Sequence, residues 1–544
     1  MIFAAERNLT ESYWARDDSV PLSDHTVGSL LAERAEHHGG TVALVGTPHG
    51  TTELHRYTYA QLYDEALRVA SALAAITAPG DFVALWAPNV VEWPIIEFGA
   101  ALAGRVLVAI NPALRQGELA YALIHSGATV LIHADENKRY DMADVAKSVV
   151  AEVSSVEHRI SLSERGRWQA AGQTTIEFGA WASDPDAPVM LQYTSGTTGN
   201  PKGVLLRHRS LVNVAKMTME AAEVAAGSVF LNPLPMFHTA ACVIGTLGPV
   251  WNAGTALLVE TFTPAAILDW AKAEHADVLL FVPTVLSALL ETVRGNEDLA
   301  PQFTSVIGGA ANVPRVLIEG SARVFSASVH NLFGQTELAP VLTLTRKSDS
   351  IEDQLATVGR PIAQVETKIA DSDGTGVAPL GIEGEICARG YQQMIEYYRD
   401  PAATVSTVDA DGWLHTGDLG SMDSRGFLTL TGRLKDMIIS GGENIAPAEV
   451  ESRLVEHDSV QQAVVVGVPH EKWGETVAAV LVVRGEQPED LLDSVKAHLS
   501  TRLAPFKTPR RWFVTTELPT TPSGKVQKFK LREAILDESI DEIG

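Results

Sequence analysis

The chain has 544 residues, 46% hydrophobic and 20% charged, and its 42 basic and 67 acidic side chains leave a net charge of −25. That length exceeds a single core and implies roughly three to four domain-sized units. The composition excludes a disordered chain, and the acidic excess argues against nucleic acid as a main partner, because phosphate-backbone binding runs on Lys and Arg.

The amino-terminal stretch MIFAAERNLTESYWARDD meets charge at Glu6 and Arg7, too early for a signal-peptide core. Short apolar runs then alternate with amphipathic stretches. DFVALWAPN (81–89) reads as a buried strand and turn, VVEWPIIEFGAALAG (90–104) as a helix and RVLVAINP (105–112) as the next strand. The rhythm returns at TVLIHAD, GSVFLNPLPMFH, GTALLVE, ADVLLFVPT and FTSVIGGAA. Strands alternating with helices imply mainly parallel sheets covered by helices on their faces. Ligands in such sheets collect beyond the carboxyl ends of strands. The apolar run VLLFVPTVLSALL (278–290) is broken by Pro283 and falls short of the roughly 20 residues that span a bilayer. It reads as a strand, a turn and a helix. No transmembrane anchor is evident, and peripheral membrane contact stays compatible with the sequence.

From about Val358 the texture becomes turn-rich with short alternating strands, as in a small β-rich subdomain reaching about residue 434. Residues 435–544 read as a compact α/β domain carrying APAEVESRLVEH as a helix, QQAVVVGVP and TVAAVLVVRG as strands and PEDLLDSVKAHLSTRL as a second helix. The expected division is therefore a large amino-terminal domain, 1–434, of two helix-covered sheets plus the β-rich subdomain, and a small carboxy-terminal domain, 435–544. The two cysteines, Cys242 and Cys387, lie far apart and form no metal-ligand or disulfide spacing, which suits a reduced, cytoplasmic setting.

The segment LQYTSGTTGNPKG (191–203) stands out, because an apolar strand runs straight into a Gly/Thr/Ser loop ending in a lysine. Gly, Ser, Asn and Pro cluster in any surface loop. Backbone amides, hydroxyls and a lysine also wrap phosphates. The phosphate loop of the common nucleotide hydrolases needs Gly, four residues, then Gly-Lys-Ser/Thr. Here Lys202 precedes Gly203 and Val204, so that fold is excluded.

Four further sparse motifs follow: NLFGQTE (331–337), WLHTGD (413–418), GRLKDMIISGGENI (432–445) and PTTPSGKVQK (519–528). In their order and spacing, the five motifs resemble the adenylate-forming superfamily, in its acyl-CoA synthetase branch. The resemblance covers nearly the whole chain. It implies an AMP-forming ligase with ATP and CoA as cosubstrates and Mg²⁺ as cofactor. A carboxylate attacks the α-phosphorus of ATP, pyrophosphate leaves, and a thiol then displaces AMP from the acyl-adenylate. It also implies that the carboxy-terminal domain is mobile and swings between the two steps.

Carried onto this chain, the resemblance assigns Thr194, Ser195, Gly196, Thr197, Thr198, Gly199 and Lys202 to the β- and γ-phosphates. Step one brings two anions together, so donors and cations are what its chemistry requires. Asn331, Phe333, Gly334 and Gln335 accompany the adenine, for which Phe333 offers a flat face. Thr336 supplies a hydroxyl for the α-phosphate, and Glu337 a hard oxygen for Mg²⁺. Gly309, Ala310 and Ala311 match the segment between adenine and acyl group. Asp418, assisted by Arg433, would bind the ribose hydroxyls. Lys525 is the expected catalytic lysine, a flexible cation reaching both carboxylate and α-phosphate. Lys435 falls on the hinge. His238 resembles a gate between acyl pocket and thiol tunnel, although a lone histidine on an apolar strand end is commonly a core residue. For CoA the resemblance points to Ser440, Gly441, Gly442, Glu443, Trp473, Phe506 and Lys507, with Arg510 and Arg511 adding positive charge.

The acid is less defined. Relatives that activate amino acids carry an aspartate near PMFH, whereas this chain reads Phe237-His238-Thr239-Ala240-Ala241-Cys242. The expected pocket residues Met236, His238, Val243, Val282, Val285, Gly309, Ala310, Gly334 and Val341 are largely apolar, which suits a medium- or long-chain fatty acid. An aryl or alicyclic acid, or a carrier-protein thiol as acceptor, stays open, and the sequence is compatible with a homodimer. A non-catalytic nucleotide-binding module is disfavoured, because Lys202, Thr336, Glu337, Asp418, Arg433 and Lys525 are all present.

Overall fold

The computed structural model describes residues 7–171, 179–194, 201–261, 263–297, 300–309, 313–371, 374, 376–440, 443–470, 473–503, 505–520 and 526–543. The described residues fall into two compact units, one within 14–367 and 388–414, the other within 7–13, 368–387 and 415–543.

The first unit is built on two sheets. In the nine-stranded sheet the strands Val42–Gly46, Thr255–Leu258, Val229–Asn232, Val278–Phe281, Ser305–Gly309 and Ser328–Phe333 are neighbours in that order and run parallel. Antiparallel strands close both edges. Runs such as VLLF are buried at every residue, as strands covered on both faces must be. In the seven-stranded sheet Phe82–Trp86, Val106–Ile110, Val130–His133, His158–Ser161 and Pro188–Thr194 are parallel, and Lys202–Arg207 and Glu396–Tyr397 are added antiparallel. The mainly parallel α/β architecture expected from the alternating rhythm is what the chain adopts.

Local chemistry sets the boundaries. Thr58 caps the helix Tyr59–Ala74, taking the amide of Gln61 while the Gln61 side chain returns to the Thr58 amide. Pro283 occupies the first turn of the helix Pro283–Val293, where its missing N–H costs nothing, so the strand passes to the helix through Val282 alone. The segment Ala240–Leu247 is a π-helix, a wider turn that the apolar pattern ACVIGTL does not distinguish from an α-helix.

In the second unit, Gly474–Val483 pairs antiparallel with Val460–His470 and with Ile438–Ser440, and parallel with Arg511–Thr515. The two-residue period splits its side chains between two cores. Val465, Ala479, Leu481 and Trp512 pack against the helices Pro447–Val455 and Leu491–Ser500. Val464, Val466, Val480 and Phe513 pack against Leu531 and Ile535 of the helix Lys528–Leu536. Among the described residues, no helix is long and apolar enough to cross a membrane.

Candidate active site

The strands Pro188–Thr194 and Lys202–Arg207 form a hairpin in which Thr194 faces Lys202 and Tyr193 faces Gly203. That pairing places Thr194 and Lys202, which flank 195–200 and Pro201, opposite each other. Ser195, Gly196, Thr197, Thr198 and Gly199 lie outside the described residues. The Lys202 ammonium sits 4.6 Å from the centre of the Tyr397 ring, a cation–π arrangement. Tyr397 reaches it because Glu396–Tyr397 pairs with the outer edge of Lys202–Arg207, Val204 opposite Tyr397. The Tyr397 hydroxyl donates to Glu337 Oε1 at 2.6 Å. Burial, and then the Glu337 carboxylate, push that hydroxyl well above its ordinary pKa, which keeps it a donor. Three segments remote in sequence thereby share one relay, Lys202–Tyr397–Glu337.

Glu337 stands in the single 3₁₀ turn Thr336–Leu338, just after the parallel strand Ser328–Phe333. Its other oxygen, Oε2, receives no hydrogen bond from the described residues, so a hard acceptor is left for a cation such as Mg²⁺. A Cβ at Gly334 would lie 1.9 Å from the Pro340 carbonyl oxygen, so only glycine lets the chain fold back over this turn. Asn331 is fixed through its amide to Thr345 Oγ1 at 2.8 Å, and Phe333 is buried.

Two of the acyl-pocket candidates, Val282 and Gly309, stand at the ends of adjoining strands. Phe281, Gly308 and Asn331 lie abreast in the sheet, which sets Val282, Gly309 and Leu332 side by side at the carboxyl edge. Added Cβ atoms at Gly308 and Gly309 would strike the carbonyl oxygens of Phe281 and Leu332. Met236, Val243, Val285 and Val341 are buried, while Ala310 and Ala311 lie outside the described residues.

The loop 233–239 is held by two asparagines that sequence reasoning missed. Asn89 Nδ2 donates to the Leu234 and Val259 carbonyls at 2.8 and 3.0 Å, and its Oδ1 accepts the Met236 amide at 2.8 Å. Asn232 Oδ1 accepts the Leu234 amide at 3.1 Å and its Nδ2 reaches the Ala241 carbonyl at 3.3 Å. His238 packs against Phe237 with the rings tilted by 43° and their centres 4.2 Å apart, and burial pulls its pKa down to about 4, so the imidazole is neutral.

Deeper in the unit, Glu97 on the helix Glu92–Leu102 is 2% exposed, and neither carboxyl oxygen has a hydrogen-bond partner among the described residues. Burial raises its pKa well above the ordinary carboxylate value. Its carboxyl also acts on the Cys242 thiol, which takes a contact from Gln192 Nε2 at 3.2 Å.

In the second unit, strand register sets Asp418 directly opposite Arg433, and Arg433 Nε lies 2.8 Å from Asp418 Oδ1. The Asp418 amide donates to Thr416 Oγ1 at 3.1 Å. Ser440 pairs with Glu443 and with Gly474. Lys507 is engaged by both oxygens of Glu449 at 2.7 Å, beside the exposed Phe506 ring. The Arg510 guanidinium lies 4.9 Å from the centre of the Trp473 ring, and Arg511 is paired with Glu542. Thr520 and Val526 bridge across the ends of 521–525. Lys525, Gly441 and Gly442 lie outside the described residues, as do the side chains of Lys435 and Glu443.

Residues 31–398 match the profile of the AMP-binding enzyme family, and residues 449–525 that of the AMP-binding enzyme C-terminal domain. The chain belongs to the AMP-binding enzyme family. A 3-[(3aS,4S,7aS)-7a-methyl-1,5-dioxo-octahydro-1H-inden-4-yl]propanoyl:CoA ligase of Rhodococcus jostii (strain RHA1) is 36% identical over 503 residues, 88% of this chain and 94% of that protein. The mitochondrial medium-chain acyl-CoA ligase ACSF2 of Rattus norvegicus is 32% identical, covering 94% of this chain and 88% of its own length. ATP-bound MatB from Rhodopseudomonas palustris superposes with a TM-score of 0.84 at 28% identity, over 94% of this chain and 100% of that one. This AMP-binding enzyme is accordingly an acyl-CoA synthetase, an AMP-forming acid–CoA ligase that uses ATP and CoA.

Proposed function

We propose that the acid is hydrophobic, a medium- or long-chain fatty acid, activated as its adenylate and passed to CoA. What supports this reading is the apolar character of the candidate pocket residues: Met236, Val243, Val285 and Val341 are all buried. The medium-chain relative supports it. A second reading, an alicyclic acid, is favoured by the higher identity to the octahydroindenyl-propanoyl ligase.

In step one a carboxylate oxygen bonds to the α-phosphorus and the bond to the β-phosphate oxygen breaks. Lys202 and the loop hydroxyls Ser195, Thr197 and Thr198 hold the departing pyrophosphate. Thr336 holds the α-phosphate, Asp418 with Arg433 holds the ribose, and Lys525 neutralises charge as carboxylate and phosphate meet. Bound Mg²⁺ would screen the phosphate oxygens from Glu337, whose geometry Tyr397 fixes. In step two the CoA sulfur attacks the acyl carbon and AMP leaves. The residues 435–544 move as one domain about Lys435 between the steps, and Ser440–Glu443 then line the CoA path. Neutral His238 gates that path.

The test is a panel of carboxylates assayed for pyrophosphate release with and without CoA. A saturable optimum among straight-chain acids is the expected result, and preference for fused-ring or aromatic acids overturns the fatty-acid reading. With any accepted acid, Lys525→Ala lowers adenylate formation by roughly 10²–10³-fold, while thioester formation from supplied acyl-adenylate is spared.

A further inference from the structure

The two cysteines show no ligand spacing in the sequence, yet folding brings one of them into a donor cluster. Glu385 and Cys387 stand two apart on the strand Gly384–Gly390 and so share one face. His415 stands on the neighbouring strand, Leu414–Met422. One ligand atom from each of the three lies within 4.8 Å of the others. Cys387 Sγ is 3.5 Å from His415 Nδ1, and that nitrogen is 2.7 Å from Glu385 Oε2. The remaining Glu385 oxygen, Oε1, accepts the Gly417 amide at 2.9 Å, which anchors the carboxylate.

We propose that Glu385, Cys387 and His415 form a binding site for a borderline divalent cation of the Zn²⁺ type, separate from any phosphate-bound Mg²⁺. The donor set of thiolate, imidazole and carboxylate is one that Zn²⁺ takes and Mg²⁺ does not. Zn–S and Zn–N bonds of about 2.3 and 2.0–2.1 Å at a tetrahedral angle require an S···N edge of about 3.5 Å, the spacing observed. The N···O edge must open from its hydrogen-bonded 2.7 Å to about 3.3 Å as the metal replaces the shared proton. Binding releases the thiol proton and moves the imidazole proton to Nε2. Cys387 is buried, whereas His415 and Glu385 are partly exposed, so the cation enters from their side and keeps water as its fourth ligand. Because the donors sit on paired strands, the site is preorganised. An ion there ties His415, three residues before Asp418, to the neighbouring strand.

The full chain, reduced, treated with EDTA and desalted, is titrated with Co²⁺ as the spectroscopic stand-in. The expected result is a near-ultraviolet thiolate-to-cobalt band with tetrahedral visible absorption, saturating at one ion per chain and bleached by one equivalent of Zn²⁺. Cys387→Ser abolishes the near-ultraviolet band, and Cys242→Ser retains it. Should Cys387→Ser fail to fold, Glu385→Gln and His415→Gln carry the test, each weakening Co²⁺ affinity more than about tenfold. Absence of the band in the unsubstituted chain, its loss in Cys242→Ser alone, or unchanged affinity in both Glu385→Gln and His415→Gln overturns the site.

Discussion

The two polar constellations are held in different ways. In the first unit, Lys202, Tyr397 and Glu337 come from three segments up to 195 positions apart and meet in a buried relay. In the second, Asp418 and Arg433 are direct neighbours across an antiparallel pair, and the arginine side chain is 35% exposed. Tyr397 and Glu337 are both buried and have no solvent to replace a lost partner, whereas Arg433 is open enough for water to replace its contact.

Tyr397→Phe is the largest expected effect within this contrast. It removes a hydrogen bond to a carboxylate, about 1.5–3 kcal/mol, which is roughly a ten- to hundredfold fall in kcat/KM for pyrophosphate release. The residue stays aromatic, so Lys202 keeps its ring, and a single cooperative thermal transition will show that the fold is retained. Glu97→Met comes next and tests the cost of burial itself. The folded carboxyl titrates above its ordinary value near 4.5. It therefore contributes stability below that pH and loses it as pH rises toward the folded value. Replacing it with an apolar side chain should raise stability by about 1–3 kcal/mol at pH 8 and by clearly less at pH 5, measured by urea denaturation. An equal gain at both values removes the titration argument. The smallest effect belongs to Arg433→Gln, where the partly exposed guanidinium gives way to an amide that can still donate to the buried Asp418, a loss of about 1 kcal/mol, about fivefold and chiefly in KM for ATP. If Arg433→Gln proves more damaging than Tyr397→Phe, the contrast between buried and exposed constellations fails.

The same contrast explains what could be read before folding. The alternation of apolar runs and amphipathic stretches foretold two mainly parallel sheets, because fully buried strands such as VLLF carry their signal locally. Thr336, Glu337 and Asp418 could be singled out as candidates because their motifs are continuous. Tyr397 could not, because nothing in IEYYRD says that its strand will lie against Lys202–Arg207. Asn89 and Asn232 look like ordinary turn residues beside prolines, and only the carbonyls of Leu234, Val259 and Ala241 reveal them as the clamp on the loop 233–239. Glu97 sits in EWPIIEFGAA, where it resembles the polar stripe of an amphipathic helix. That helix is covered on every side from Trp93 to Leu102. Cys387 and His415 are 28 residues apart, a separation that strand pairing closes and sequence spacing cannot.

The π-helix Ala240–Leu247 has its own consequence. A turn with five-residue hydrogen bonding is one insertion away from an α-helix. Deleting a single residue within 240–247 restores the tighter pitch and rotates one flank against the other by about 100°. Gly245 would then no longer be seated against the Asn232 amide, where an added Cβ would lie 2.2 Å from Nδ2. A single deleted codon would thus shift the flanks of this buried segment while every motif elsewhere in the gene stays the same.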